Sequence, residues 1–194
     1  AHYCYLTVRH LPPFFEHHSR IVYGEVEYVM NNKDIQHPSV RGCLEYLKIS
    51  EAVEIHHDGD LPARSGIGSS SSFTVGLLHA LYALKQQMKS PRQLAEESID
   101  VEQNWLNESV GIQDQIMAAH GGFQIIEMGP DANWNTKNML LPKEYLSSLE
   151  DHVLLGFSGI SRMSEQHAKN KVDNIKLGKT NKELQTIYEL TQEA

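Results

Sequence analysis

Between Pro62 and Ser72 the chain reads Pro-Ala-Arg-Ser-Gly-Ile-Gly-Ser-Ser-Ser-Ser, and it runs without a break into the apolar stretch from Phe73 to Leu84. A glycine- and serine-rich loop that feeds an apolar helix aims several unpaired backbone N–H groups, together with the positive end of the helix dipole, at one point in space. That is anion-binding chemistry, and phosphate is the anion it suits best. Gly66 and Gly68 let the backbone turn tightly and approach a ligand, while Ser69, Ser70, Ser71 and Ser72 offer hydroxyls and helix-capping oxygens. Two familiar phosphate loops are excluded by the text. The Walker loop needs Lys and then Ser or Thr after its last glycine, whereas Ser69 follows Gly68; the dinucleotide turn needs Gly or Ala where Ser71 stands. A flexible serine-rich linker is the competing reading, and the apolar helix that begins at once behind the loop argues against it.

The elements that hold this loop alternate between strand and helix. Tyr3 to Val8 alternates as a strand; Arg20 to Tyr23 and Val26 to Val29 give a second and a third, punctuated by Pro12-Pro13 and Gly24. His37-Pro38-Ser39 opens a helix of about ten residues whose Val40, Cys43, Leu44 and Leu47 share a face. Ala52 to His56 is a short strand leading into the loop, and the helix from Ser70 to Gln87 is apolar nearly all round, which predicts a central, buried helix. Ser90-Pro91-Arg92-Gln93 carries an N-cap, a first-turn proline and a capping-box Gln, starting a helix through Leu94, Ala95, Ile99, Val101 and Trp105 with Glu96 and Glu97 on a solvated face. Gly111 to Gly122 reads as a turn, a short helix and a double-glycine stop. Phe123 to Met128 and Met139 to Leu141 are predicted strands, Pro142 to Leu149 a short helix, and Val153 to Phe157 a buried strand. Met163 to Glu193 is predicted mostly helical, with a break near Gly178.

Composition limits the function classes. At 194 residues and 40% hydrophobic, the chain can bury a sizeable core. A net charge of −8 and the lack of a basic stripe argue against nucleic acid and anionic membranes as partners, and the apolar runs are too short to span a bilayer. Only Cys4 and Cys43 occur, without metal-ligand spacing, and are expected as reduced thiols, which favours the cytoplasm. The histidines include two adjacent pairs, His17-His18 and His56-His57, whose members point to opposite sides of a strand; no metal-binding spacing results, and they are read as surface or polar-core residues.

Pro62-x-x-x-Gly66-Ile67-Gly68-Ser69-Ser70-Ser71 resembles the Pro-x-x-x-Gly-Leu-Gly-Ser-Ser-Ala signature of the GHMP kinases, the family of galactokinase, homoserine kinase and mevalonate kinase. A second match follows in order: Glu102, then Gly111-Ile-Gln-Asp114-Gln115, which is similar to the acidic residue and Gly-x-x-Asp-Gln segment of galactokinase-type members. The wider text, including His37-Pro38-Ser39-Val40-Arg41, Ala118-Ala119-His120-Gly121-Gly122 and Gly159-Ile160-Ser161-Arg162, looks like the D-glycero-D-manno-heptose 7-phosphate kinase branch. The family's first motif and its glycine-rich third motif are not in these residues, which implies a chain cut at both ends; the strand at the N-terminus and the lone apolar helix at the C-terminus give the same expectation.

The resemblance implies an α+β GHMP kinase fold. Residues 1–150 would form the N-terminal, ATP-binding domain, like the second domain of ribosomal protein S5, lacking its first strands; residues 151–194 would begin a truncated ferredoxin-like C-terminal domain. It implies ATP and Mg²⁺ as cosubstrate and cofactor, and a small sugar phosphate as substrate; a homodimer is compatible with this reading. Pro62, Ser65, Gly66, Ile67, Gly68, Ser69, Ser70 and Ser71 would surround the ATP phosphates. Ser70 and Glu102 would hold the metal, with Ser69 as an alternative, and Asp114 would be the catalytic base. Gln115, His120 and Arg162 are weaker site candidates, Gln115 and Arg162 for substrate; an exposed surface arginine remains an equal reading of Arg162. The expected reaction is phosphorylation of the anomeric hydroxyl of a heptose 7-phosphate. A kinase for fucose or galactose, a catalytically silent sugar sensor and a plain anion-binding domain are the alternatives.

Overall fold

The computed structural model describes residues 3–60, 66–129, 133–154, 156 and 173–193. Four strands form a mixed sheet in the order β1-β4-β2-β3: β1 is Cys4–His10, β2 Ser19–Val22, β3 Val26–Val29 and β4 Val53–Gly59. Strand β4 runs antiparallel to β1 and parallel to β2. Its register sets Ile55 opposite Val8 and Ile21, so three apolar side chains line up on one face across three strands. The other face carries a polar equivalent. Glu54 lies opposite Arg9 and Arg20 and is ion-paired to both, with His56 Nε2 at 2.7 Å from the same carboxylate. A carboxylate only 1% exposed is costly unless paired, and these cations supply the pairing.

Helix α1 (Pro38–Tyr46) begins at His37, whose ring accepts from the Val40 N–H, and it buries Val40, Cys43 and Leu44 as the spacing predicts. Helix α2 (Ser69–Leu84) follows the loop and packs against β1, α1 and further helices described below. Leu77, Leu78 and Leu81 are fully buried; at about 1.5–3 kcal/mol each, such side chains fix the helix in the core. Its approach to the sheet is close: a β-carbon on Gly76 would stand 2.8 Å from Leu6 Cδ1. The helix stops at Leu84, where Gln86 adopts φ 58°.

Helix α3 (Pro91–Asp100) has the predicted cap, with Ser90 accepting from the Gln93 N–H and Gln93 accepting from the Ser90 N–H. The predicted continuation to Trp105 is not α-helical: Val101–Trp105 forms a π turn, closed by the Leu106 N–H on the Val101 carbonyl. Glu97 departs from the expected solvated face. It accepts from the Tyr82 hydroxyl and from Lys89 Nζ at 2.7 Å, tying α3 to α2, whereas Glu96 does lie at the surface with Arg92. Helix α4 (Gln113–His120) ends at Gly121, φ 63°, the glycine stop read from the sequence.

A second, two-stranded sheet pairs β5 (Gln124–Met128) with β6 (Trp134–Asn138). The second strand therefore precedes the predicted Met139–Leu141. Being one half of a hairpin, it exposes most of its length, so its text, Trp-Asn-Thr-Lys-Asn, is mainly polar, and the apolar run after it is not a strand. Trp134 anchors the hairpin: it packs with Ala95 and Ile116, and the Arg92 guanidinium sits 4.5 Å above its ring. Helix α5 (Lys143–Asp151) matches the prediction to within two residues. The predicted buried strand at Val153 to Phe157 is corrected where it is described: Val153 and Leu154 are irregular and 61% and 97% exposed, because nothing among the described residues covers them. Leu155 and Phe157 lie outside the described residues. Gly178, φ 67°, does precede a helix, α6 (Asn181–Glu193). The fold is α+β, as expected.

Candidate active site

The loop glycines behave as their positions require. Gly66 and Gly68 have φ 80° and 77°, the left-handed region that only glycine enters without strain. Gly68 is the N-cap residue of α2, and among the described residues no side chain caps the helix. The contrast with α1 and α3, capped by His37 and Ser90, is instructive. Four serines stand at the start of α2, yet the cap position is held by a residue with no side chain. First-turn N–H groups of this kind can take an anion as acceptor.

Three downstream side chains converge near this turn. Asp114, half-buried in the first turn of α4, lies against Gly68: a β-carbon there would be 3.2 Å from Asp114 Cγ and 3.4 Å from Oδ2. Asp114 is not a helix cap, since Ile112 holds that position without a side-chain bond. Glu102, carried on the π turn, is 1% exposed; its Oε2 accepts from Ser71 Oγ at 3.0 Å and from Gln115 Nε2. Its other oxygen, Oε1, is buried without a hydrogen-bond partner among the described residues. The π turn explains how an acidic residue following a solvated helix face turns inward, because the widened turn resets the register of the chain behind Asp100.

Ser71, assigned to the phosphate loop, is therefore the serine bonded to Glu102. Ser70 is exposed and Ser69 half-buried. Gln115, assigned to substrate, is fully buried and bonded to Glu102. His120 stands apart from this group, edge-on to Trp134 with ring centroids 5.6 Å apart. Pro62, Ser65 and Arg162 lie outside the described residues. A cleft of about 440 Å³ lies between α1 and the chain around Trp105 and Leu106; no residue of the loop or of α4 lines it.

Sequence reasoning missed an aromatic and histidine support under the first turns of α2. His37 stacks on Phe73 at 4.7 Å, and His57 meets the same ring edge-on at 4.9 Å. Glu27 accepts from the Tyr23 hydroxyl at 2.9 Å and from the His37 N–H at 3.0 Å. Burial lowers both imidazoles below the usual histidine range, while burial and the bond to Glu27 push Tyr23 up to about 12. These rings are neutral when buried, which suits their role as packing groups. Burial also raises the Cys43 thiol, with the Glu102 charge adding to the effect, so Cys43 is an inert core thiol.

A hydroxyl and a carboxylate are hard oxygen ligands of the kind magnesium takes, and an acceptor oxygen that meets no donor suits a cation. N–H groups at a helix start, a buried carboxylate with an unpaired oxygen and a second carboxylate beside the loop are groups of the kind that a phosphoryl-transfer site uses.

Residues 38–122 match the family described as GHMP kinases N terminal domain. Over that span the chain is similar to a GHMP kinase N-terminal domain. That span includes the whole of the loop, Glu102 and Asp114. The chain is 28% identical over 158 residues to the D-glycero-alpha-D-manno-heptose 7-phosphate kinase of Campylobacter jejuni, a match covering 77% of this chain and 43% of that protein. Its fold is shared with a D-glycero-D-manno-heptose 1-phosphate kinase from Bacteroides thetaiotaomicron, at a TM-score of 0.68 and 19% identity over 76% of this chain and 51% of the other. It is shared also with Lactococcus lactis galactokinase complexed with galactose, at 0.55 and 15% over 80% and 51%. The chain thus spans about half the length of these relatives. Among the described residues no helix is long and apolar enough to cross a membrane.

Proposed function

We propose that the protein to which this chain belongs is a kinase that transfers the γ-phosphoryl group of ATP to the anomeric hydroxyl of a heptose 7-phosphate, yielding ADP and a heptose bisphosphate. The observation that carries the reading is the nearness of Asp114 to Gly68, where an added β-carbon would be 3.2 Å from the carboxyl carbon, which sets a carboxylate beside the N-terminus of α2. The similarity to heptose phosphate kinases supports the sugar class.

In this reading, backbone N–H groups of the Gly66 to Ser71 turn donate to the ATP phosphates, held in place by the buried body of α2. Preorganised donors of this kind are worth about 10²- to 10³-fold each. Asp114 accepts the proton of the attacking hydroxyl as the new P–O bond forms and the bond to the ADP oxygen breaks. Glu102, with the serine hydroxyls at the start of α2, would hold Mg²⁺, which when bound offsets negative charge on the phosphates. Pro62 and Ser65 extend the loop, and Arg162 is a candidate for the phosphate on the sugar. Residues 1–150 are read as the N-terminal domain and 151–194 as the start of the C-terminal one. A cytoplasmic enzyme fits two free thiols and a net charge of −8.

The test is ADP release by the full-length protein over a panel of heptose 7-phosphate, galactose, fucose and water. Turnover with heptose 7-phosphate at least tenfold above the other acceptors supports the reading. Equal turnover with galactose or fucose reassigns the sugar, and none with any acceptor rejects a kinase.

A further inference from the structure

Gln115 is a fully buried polar side chain beside the candidate site, and its surroundings do not suit a residue that reads a substrate. It is 0% exposed, its Nε2 donates to Glu102 Oε2, and its Oε1 meets no donor among the described residues. The oxygen it engages is the same one that accepts from Ser71 Oγ. Both donors therefore fall on one edge of the carboxylate, while Glu102 Oε1 is left buried and without a donor. A buried acceptor left unpaired costs about 1–3 kcal/mol, more when it carries charge, and a carboxylate free to rotate would share its donors between both oxygens. The arrangement holds the group in one orientation with one oxygen open.

We infer that Gln115 is a positioning residue: its amide, with Ser71, clamps Glu102 Oε2 so that Oε1 is presented to a divalent cation. The inference rests on the kinase reading and adds to it the device that orients the carboxylate. Gln115 follows directly on Asp114 in the first turn of α4, so one short helix supports the base and orients the metal carboxylate together. The alternative is that Gln115 only fills the core between α4 and the π turn.

The test uses full-length protein and measures the affinity for ADP with and without Mg²⁺ by calorimetry, beside the Mg²⁺ dependence of turnover. Gln115→Met keeps the volume and removes the N–H donors. It should leave the affinity for metal-free ADP within twofold, lower the gain in affinity brought by Mg²⁺ by tenfold or more, and raise the Mg²⁺ concentration for half-maximal rate by a similar factor with the KM for sugar unchanged. Gln115→Asn retains an amide on a shorter stem and should fall between the two; it serves as the readout if the Met variant does not fold. Equal losses with and without Mg²⁺, or an unchanged Mg²⁺ response in a folded variant, overturn the inference and leave the kinase reading standing. A wild-type protein whose ADP binding and turnover ignore Mg²⁺ overturns both.

Discussion

Asp114 stands close enough to Gly68 that a side chain there would crowd it: a β-carbon at position 68 would lie 3.2 Å from the carboxyl carbon and 3.3 Å from Asp114 Cβ. Gly66 shares the left-handed backbone, but a β-carbon there would meet nothing within 4 Å among the described residues. The two glycines therefore separate backbone strain from crowding. Gly66→Ala should cost about 1–2 kcal/mol of stability from φ alone. Gly68→Ala should cost that and also displace Asp114, lowering kcat at least tenfold more than Gly66→Ala does. Denaturant melts and single-substrate kinetics on the two variants check this, and equal kcat losses would refute the importance of the crowding.

Removing the charge of the base is a separate matter from moving it. Asp114→Asn should lower kcat by about 10²- to 10⁴-fold, the range of a positioned general base. Because Asp114 caps no helix, the melting temperature should stay within a few degrees. A thermal melt and steady-state rates on the same preparation decide the point; a variant with undiminished turnover removes Asp114 from the chemistry.

The serines at the head of α2 are predicted to differ. Ser71→Ala removes a buried bond to a carboxylate and should destabilise by about 1.5–3 kcal/mol. Ser70→Ala, at an exposed position, should change stability by less than about 0.5 kcal/mol. If Ser70→Ala instead abolishes activity while leaving the melt unchanged, the hydroxyl at position 70 is the metal's and Ser71 is its support.

The histidines beneath α2 give a pH dependence whose sign is fixed. His37 and His57 both have lowered affinity for protons in the folded state, chiefly through burial. Below about pH 6.5, the ordinary histidine value, the unfolded chain binds protons that the folded chain refuses, so stability falls as pH drops. Urea midpoints should decline from about pH 7.5 to about pH 5.5, and more steeply than in His37→Gln, which removes one titrating ring. Judging by slope is necessary because that variant also loses the α1 cap.

The hydrophobic spacing made α1 and the start of α2 legible, although α2 stops at Leu84, three residues short of the expected Gln87, and the Ser90 capping box was visible because its chemistry is local. The loop and its two carboxylates were legible as motifs. What the text did not carry was tertiary choice. Glu97 reads like Glu96, and only the nearness of Tyr82 and Lys89 draws it inward. Which of four like serines meets Glu102, and that Gln115 meets it too, depends on the phase of two helices against a π turn. The strand at Trp134 was hidden because a hairpin with one covered face needs few apolar residues, while the apolar run Met139 to Leu141 is irregular, with Leu140 88% exposed.

The π turn at Val101–Trp105 also bears on how this region tolerates change in length. A helix that gains one residue without being interrupted accommodates it as a bulge of this kind. Losing one residue ahead of Glu102 would restore ordinary winding and rotate that side chain by about 100° around the axis, away from Ser71. A single-codon deletion at Val101 would therefore disconnect the carboxylate from the helix that follows the glycine- and serine-rich loop. Residue count here is as much a part of the site as residue type.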